Sequence, residues 1–385
     1  MFSSRLNWSL PVTRFASLVD QKRSQSETIL DLTESNPTAA GLVYPGESIV
    51  RALGDARALR YEPRPAGLDV ARAAVSEYYA GRVAPERILI TASTSEAYAF
   101  LFKLFCDPGD EVLVPRPSYP LFEFLAALES VRVVHYPLVY YRDWSIDLEA
   151  LASSVTSRTR AIVIVNPNNP TGSFLKEDEL KPLMQLCRAR NLAIIADEVF
   201  TDYAWEADPR RISSLVDTEE VLSFSLSGLS KVAGLPQLKL GWMVANGPAF
   251  ERAQALQNLE LIADTYLSVG TPVQWAAASL LETRAPIQKQ ILNRVRGNRD
   301  FLASQIGPES PWRLLHTEGG WYAILQAPRV RSEEEWALTL LEQDNVLIQP
   351  GFFFDFEAEA FLVMSMLTRS EVFREGVRRI FARAV

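Results

Sequence analysis

Two lysines stand in the segment SLSGLSKVAGLPQLKLGW, which covers residues 225–242 and is rich in small and apolar residues. Lys231 lies between Gly228 and Gly234, and Lys239 follows it eight positions later. An ammonium among apolar neighbours is costly unless it is paired, neutral or covalently modified. The segment therefore predicts a lysine with a chemical partner.

An acid and an amide follow two other apolar runs. Asp197 ends the run in IIADEVF, where a carboxylate needs a cationic or N–H partner, although capping of a following helix is an alternative role. The run IVNPNNPTG breaks into a turn that cannot continue a strand and that directs the Asn169 amide to the sheet edge.

Two further segments suit a planar, phosphorylated ligand. Ser93 and Glu96 fit a capping box, and the helix start that they predict suits a phosphate, although a plain cap is equally compatible with this segment. Tyr119 lies between prolines just past a predicted strand, where its ring can stack on a planar ligand. Together with Lys231, Asp197 and Asn169, these features meet the chemical needs of pyridoxal phosphate.

The elements that must position these residues alternate between short β-branched runs and apolar-periodic stretches. Seven runs predict strands, at residues 88–91, 111–115, 131–138, 161–167, 192–199, 221–227 and 241–245. This alternation favours an α/β fold with a mostly parallel sheet and a ligand site beyond the carboxyl ends of its strands. After about residue 275 the pattern becomes typical of a smaller α+β domain. We expect a large domain over residues 45–275 and a discontinuous small domain over residues 1–44 and 276–385.

Composition excludes several classes of function. The net charge of −8 argues against general nucleic-acid binding, which needs a basic face. The only two histidines, His135 and His316, stand alone, so we expect neither a metal site nor a Ser–His–Asp triad.

The cellular compartment is also an expectation from sequence. Cys106 and Cys187 lie in apolar helical patterns and are expected to be buried free thiols of a reducing compartment. The first 15 residues lack the apolar core of a secretory signal, and no apolar run reaches the length of a membrane span. We therefore expect a cytoplasmic protein that contacts no membrane.

The sequence resembles the class I/II aminotransferases, which are pyridoxal-phosphate enzymes of fold type I. The resemblance runs from about Leu32 to the C-terminus. It rests on YEPRPAGLDVAR, TASTSEAY, PRPSYP, NPNNPTG, ADEVF and SGLSKVAGLPQLKLGW, in the order and spacing of that family. It implies a large domain with a seven-stranded, mostly parallel sheet, a smaller α+β domain and a homodimer with shared active sites.

The resemblance also implies a role for each matching residue. Lys231 is similar to the Schiff-base lysine, which also moves protons, and Asp197 to the partner of the pyridine nitrogen. Asn169 resembles the donor to the phenolic oxygen, and Tyr119 the stacking ring. The residues that resemble the phosphate-binding group are Ser93, Thr94, Ser95, Lys239 and, from the neighbouring subunit, Tyr61.

Three positions near the cofactor depart from the family pattern. Lys239 stands where most relatives have an arginine, so it supplies charge without a bidentate fork. Gly228 stands where many relatives have a phosphate-binding serine, for which Ser230 or Ser227 is a substitute. Phe200 stands where most relatives have a tyrosine beside the cofactor.

A fourth departure concerns the substrate. Val363 occupies the position of the arginine that grips the substrate carboxylate in most relatives. Either another group takes the carboxylate, or the substrate has no carboxylate next to its amine. We favour the first alternative, because residues 34–38 resemble the carboxylate-side loop of amino-acid aminotransferases. The candidates for substrate contact are Arg64, Arg116, Arg14 and Asn36.

The resemblance implies an aminotransferase that works by a ping-pong mechanism between an amino acid and a 2-oxo acid. Phenylalanines at 352, 353, 354 and 356 favour a neutral or aromatic substrate over a dicarboxylate. The alternatives are a C–S or other β-elimination lyase on the same scaffold, a transaminase of carboxylate-free amines, and a non-catalytic sensor that kept the cofactor pocket.

Overall fold

The computed structural model describes residues 2–6 and 13–383 of the chain. Its α-helices are α1 Arg14–Ser24, α2 Gly46–Leu53, α3 Asp69–Tyr78, α4 Thr94–Phe105, α5 Phe122–Leu128, α6 Leu148–Ser154, α7 Glu177–Arg190, α8 Leu229–Val232, α9 Ala249–Asp264, α10 Thr271–Glu282, α11 Arg284–Ser304, α12 Glu333–Asp344 and α13 Ser370–Ala382. Its strands are β1 Leu30–Asp31, β2 Ile88–Thr91, β3 Glu111–Arg116, β4 Arg132–Tyr141, β5 Asp143–Ile146, β6 Thr159–Val165, β7 Ala193–Asp197, β8 Ser223–Gly228, β9 Gly241–Asn246, β10 Arg313–Leu314, β11 Tyr322–Gln326, β12 Val346–Leu347, β13 Gln349–Pro350 and β14 Phe361–Ser365.

The large sheet has eight strands in the order β2-β9-β8-β7-β6-β3-β4-β5. Strands β8, β7, β6, β3 and β4 are parallel, whereas β9 runs antiparallel to both of its neighbours. The mostly parallel sheet and its seven predicted strands are confirmed. The predicted count of seven was wrong by one, because β5 folds back on β4 as an antiparallel edge strand.

Apolar cores cover both faces of this sheet. Val112 and Val114 of β3 enter the core that contains α4 and α9, and Leu113 between them enters the core on the opposite face. This alternation follows from the two-residue period of a strand, and it explains why the central strands are apolar at nearly every position. Polar side chains are therefore left to the strand ends.

A smaller antiparallel sheet, in the order β10-β11-β14-β13, is surrounded by the C-terminal helices. The chain before residue 44 packs against it: β1 pairs in parallel with β12, and Phe15 and Leu32 share a core with Trp336 and Phe373. These contacts support the predicted discontinuous small domain, whose boundaries stay a prediction. Residues 1, 7–12 and 384–385 of that prediction lie outside the described residues.

The two cysteines are free thiols. Cys187 is buried in α7, and Cys106 is half-buried just after α4. Burial raises the pKa of each thiol to about 12, so both stay protonated near neutral pH. None of the described helices is long and apolar enough to cross a membrane.

A buried ion cluster joins the segment that enters β11 to the loop between β6 and α7. The Glu318 carboxylate lies 3.0 Å from Lys176 Nζ and 3.3 Å from Arg211 Nε, and all three side chains are about nine-tenths buried or more. The same carboxylate accepts a hydrogen bond from the Phe174 N–H at 3.1 Å. A Cβ atom at Gly172 would lie 2.4 Å from the Gly319 carbonyl oxygen, so the two segments are in backbone contact.

We predict that Glu318→Ala lowers the free energy of unfolding by about 3–5 kcal/mol, because it leaves two buried cations without their shared anion. Urea unfolding followed by tryptophan fluorescence measures this loss. The control is Glu206→Ala, which removes a 72% exposed carboxylate 3.5 Å from Arg299 and is expected to cost less than about 1 kcal/mol. Equal losses for the two variants would contradict a special role of the buried cluster.

Candidate functional site

A cavity of about 270 Å³ lies at the carboxyl ends of the parallel strands, where an α/β sheet places its ligand. Ten of the residues predicted from sequence line it: Ser93, Thr94, Ser95, Tyr119, Asn169, Asp197, Phe200, Ser230, Lys231 and Lys239. They come from loops after five strands of the large sheet, and Ser35 and Tyr322 complete the wall from the small domain.

Asp197 ends β7 and opens into this cavity. Tyr98 Oη donates to its Oδ2 at 3.1 Å, and the Val199 N–H donates to its Oδ1 at 3.2 Å. Burial raises the pKa of Asp197 to about 6, although both hydrogen bonds and the nearby Lys231 act to lower it. The next helical turn, Thr201–Tyr203, has Phe200 at its N-cap, so the alternative role of Asp197 as a helix cap is not supported.

Lys231 lies in α8, immediately after β8. Its Nζ is 4.8 Å from the ring centroid of Trp321 and 5.4 Å from that of Phe200, and its carbonyl oxygen accepts a 2.6 Å hydrogen bond from Tyr203 Oη. Burial lowers the pKa of Lys231 to about 8, and Asp197 opposes this effect. The amine is therefore partly neutral near physiological pH, as a nucleophile must be.

Three backbone segments touch below this lysine. A Cβ atom at Gly228 would lie 3.0 Å from both the Leu240 carbonyl oxygen and the Gly241 Cα, and one at Gly241 would lie 3.1 Å from the Ser93 carbonyl carbon. A serine at position 228 would require these backbones to shift by a few tenths of an ångström. Ser230 lines the cavity instead, whereas Ser227 does not.

The start of α4 and Lys239 make one part of the cavity wall electropositive. Ser93 caps the helix by accepting from the Glu96 N–H at 3.2 Å, while Glu96 accepts from Ala92 rather than from Ser93, so half of the predicted capping box is present. The first N–H groups of the helix have no partner within it. Lys239 is exposed, has a positive φ of 51° and makes no ion pair with a described residue.

Asn169, Ser35 and Tyr322 meet in the cavity wall. Asn169 is 8% exposed, and its Oδ1 is buried without a hydrogen-bond partner among the described residues. The side chains of Ser35 and Asn169 act on the Tyr322 hydroxyl to lower its pKa, but burial has the larger effect and raises it. Sequence reasoning missed Tyr322 and Ser35.

The aromatic side chains of the cavity are not those predicted for a substrate pocket. Phe354 and Phe356 are buried in the core beneath the sheets, and neither Phe352 nor Phe353 lines the cavity. Instead, its aromatic lining consists of Tyr119, Phe122, Phe200 and Tyr322. The four phenylalanines therefore do not support the substrate preference that was predicted from them, and Phe354 and Phe356 have a core-packing role.

Three other residues that the sequence predicted for the site, Asn36, Tyr61 and Arg64, lie outside the cavity. Asn36 accepts from the Thr38 N–H at 3.0 Å, and its neighbour Ser35 lines the cavity in its place. Tyr61 is 77% exposed and lines, with Arg64, a separate surface cleft. The structure thus does not bring these residues to the site within one chain.

The remaining candidate arginines are paired elsewhere. Arg14 forms a 2.9 Å ion pair with Glu342, and Arg116 Nε donates to the Asp355 carbonyl oxygen at 2.9 Å. Val363 has no exposed surface, lies opposite Ile324 in an apolar core and does not line the cavity. Among the cavity-lining residues the cations are Lys231 and Lys239.

We predict that Lys231 of the cofactor-free protein reacts with formaldehyde and cyanoborohydride at a rate that rises with pH to a midpoint near 8, because only the neutral amine reacts. Mass spectrometry of the methylated peptides measures this rate, with exposed lysines as an internal comparison. Asp197→Asn is expected to lower the midpoint, because the carboxylate stabilises the ammonium. A Lys231 midpoint near 10.4, the ordinary lysine value, would contradict this prediction.

The family model of aminotransferase class I and II matches residues 27–380 of this chain. The glutamate-pyruvate aminotransferase AlaA of Escherichia coli strain K12 is 30% identical over 351 residues, which cover 88% of this chain and 86% of that protein. The S-alkyl-thiohydroximate lyase SUR1 of Arabidopsis thaliana is 29% identical over 352 residues, covering 85% and 74% respectively.

The fold is shared with known enzymes of the same kind. The alanine aminotransferase of Pyrococcus furiosus superposes with a TM-score of 0.89 at 23% identity, with 99% of each chain covered. Members of the matched family use pyridoxal phosphate, and the amine, carboxylate and electropositive part of the cavity fit its aldehyde, ring nitrogen and phosphate. This chain therefore belongs to the class I and II aminotransferases, the pyridoxal-phosphate enzymes of fold type I.

Proposed function

We propose that this cavity transfers an amino group between an amino acid with a neutral or aromatic side chain and a 2-oxo acid, in a ping-pong reaction. The observation that carries the proposal is the convergence of a partly neutral Lys231, a buried Asp197 and an electropositive helix start on one cavity. When bound, pyridoxal phosphate withdraws electrons from the substrate carbon that carries the amine. Side chains of the protein hold the cofactor in place and move protons.

Each side chain has one proposed task. The Lys231 amine would hold the cofactor through its aldehyde and would move a proton to and from the substrate carbon. Asp197 holds a proton on the pyridine nitrogen, and the positive charge of that nitrogen offsets the cost of burying the carboxylate. The residues proposed to orient the cofactor are Asn169 at its phenolic oxygen, Tyr119 and Phe200 at its ring, and Ser93, Thr94, Ser95, Ser230 and Lys239 at its phosphate.

The charges in the cavity support a monocarboxylate substrate. Of its two cations, Lys231 is assigned to the cofactor aldehyde and Lys239 to the phosphate. A dicarboxylic substrate would bring a second anionic group into a cavity whose described lining leaves no free cation, while Phe122 offers apolar surface to a neutral or aromatic side chain.

A β-elimination lyase is the second candidate function. It is favoured by the resemblance to SUR1, a relative named as an S-alkyl-thiohydroximate lyase. The cofactor contacts proposed above serve both reactions equally, so only the products separate them. The two free thiols suit the reducing cytoplasm, which we propose as the compartment for either activity.

We expect amino acids to remove the visible absorbance of the purified holoenzyme and a 2-oxo acid to restore it, since the amino group is stored on the cofactor between the two half-reactions. A spectrophotometric titration with a panel of amino acids measures this. Lys231→Ala is the control and should lose the response, because it removes the amine that bonds the cofactor. Release of ammonia and an oxo acid without any acceptor would instead identify the lyase.

We also propose a homodimer in which Tyr61 reaches the phosphate site of the neighbouring subunit. The exposure of two large apolar side chains supports this proposal: Tyr61 is 77% exposed and Leu59 is 91% exposed, and both lie outside the cavity of their own chain. Exposed apolar side chains that lie close together are typical of a protein–protein interface. Sedimentation of the holoenzyme is expected to give the mass of two chains, and Tyr61→Phe to weaken cofactor retention about tenfold through the lost hydrogen bond. A monomeric holoenzyme would contradict the shared site.

A further inference from the structure

Three uncharged polar side chains form one part of the cavity wall. Ser35 follows β1, Asn169 follows β6 and Tyr322 begins β11, so three distant segments converge there. We define these three residues as the uncharged subsite. This subsite lies near Val363, which stands where most relatives have an arginine. Val363 of β14 is opposite Ile324 of β11, and Tyr322 is two residues before Ile324 on the same face of β11.

The hydroxyl groups of Tyr322 and Ser35 leave one hydrogen-bond donor available in this subsite. The Tyr322 hydroxyl is hydrogen-bonded to the side chains of Ser35 and Asn169, and Asn169 Oδ1 has no partner among the described residues, so the amide N–H is the donor in the second contact. In the contact between Ser35 and Tyr322 either hydroxyl can donate, and in both cases the proton of the other hydroxyl is left over. Burial and the nearby Glu34 carboxylate raise the pKa of Tyr322, so its hydroxyl stays protonated.

A neutral donor selects its ligand differently from a guanidinium. An arginine that meets a neutral group is left as a buried, unpaired charge, whereas a phenolic O–H is satisfied by the oxygen of a carboxylate, an amide or an alcohol. The charge of Glu34 close to Tyr322 further reduces the advantage of an anionic ligand. We therefore do not expect the uncharged subsite to require a carboxylate group on the amino donor.

Resting on the proposed transamination, we propose that this enzyme also accepts amino donors in which a primary amide or a hydroxymethyl group replaces the carboxylate. The donor C–N bond breaks, a C=O bond forms at the same carbon, and that carbon is oxidised by two electrons. The carbonyl carbon of the 2-oxo acid gains the amine and is reduced by two electrons. The water consumed in the first half-reaction is released in the second, so the transfer balances.

The test compares four donors that share one side chain: L-leucine, L-leucinamide, L-leucinol and 3-methylbutylamine. The first half-reaction is followed by the visible absorbance of the holoenzyme, at equal concentrations of neutral amine. The amide and the alcohol are expected to give kcat/KM values within about tenfold of that for leucine, because one neutral donor serves all three. The alkylamine, which offers no acceptor oxygen, is expected to be about tenfold poorer than the amide.

Tyr322→Phe is expected to lower kcat/KM for the three oxygen-bearing donors by about tenfold or more and to leave that for 3-methylbutylamine unchanged. The visible spectrum before substrate is added should not change, which separates a substrate contact from a disturbed cofactor. The matched control is Tyr140→Phe: Tyr140 Oη accepts from the His316 N–H at 2.9 Å and lies outside the cavity. This control should leave all four donors unaffected.

Two outcomes would overturn the uncharged subsite. A preference for leucine over leucinamide of more than about a hundredfold would mean that a cation reaches the carboxylate, and an equal loss for all four donors in Tyr322→Phe would mean a structural role. In both cases transamination of amino acids would stand. If no donor of any class changed the spectrum, the proposed function would fail, and this inference with it.

Discussion

The cost of burying Asp197 and Lys231 is the constraint on which the rest of this cavity depends. Burial raises the pKa of the carboxyl to about 6 and lowers that of the amine to about 8, so each is displaced from its ordinary charged state. The hydroxyl of Tyr98 lessens the cost at the acid, and aromatic faces surround the amine. Both groups remain incompletely satisfied, and a ligand that bonds to the amine and presents a cation to the acid relieves them together.

The sheet makes this arrangement possible because parallel strands end at one edge. Asp197 closes β7 and Lys231 follows β8, and these strands are hydrogen-bonded neighbours. The contact of Gly228 with Gly241, and of Gly241 with Ser93, brings the start of α4 against the same strand ends. The buried Glu318 cluster then holds the segment that leads into Tyr322 against the loop that follows Asn169.

Two parts of the cavity wall differ in what they share with the family. The part built from the sequence motifs keeps an amine, an acid and an electropositive helix start, which suit any chemistry that pyridoxal phosphate supports. Relatives of this chain are accordingly named both as aminotransferases and as a lyase. Outside these motifs, Val363 stands where most relatives have an arginine, and Ser35 and Tyr322 contribute hydroxyl groups to the cavity wall.

The sequence by itself determined the seven principal strands and the ten cofactor-side residues that converge in the cavity, because each is part of a local motif at the end of an apolar run. It did not reveal β5, whose four residues are too short and too polar to be distinctive. Only the tertiary structure decided that Ser35 and Tyr322, nearly 300 positions apart, share a wall, and that Arg14 and Arg116 pair elsewhere. Contacts between distant segments depend on how two sheets pack, and no local pattern of residues encodes that geometry.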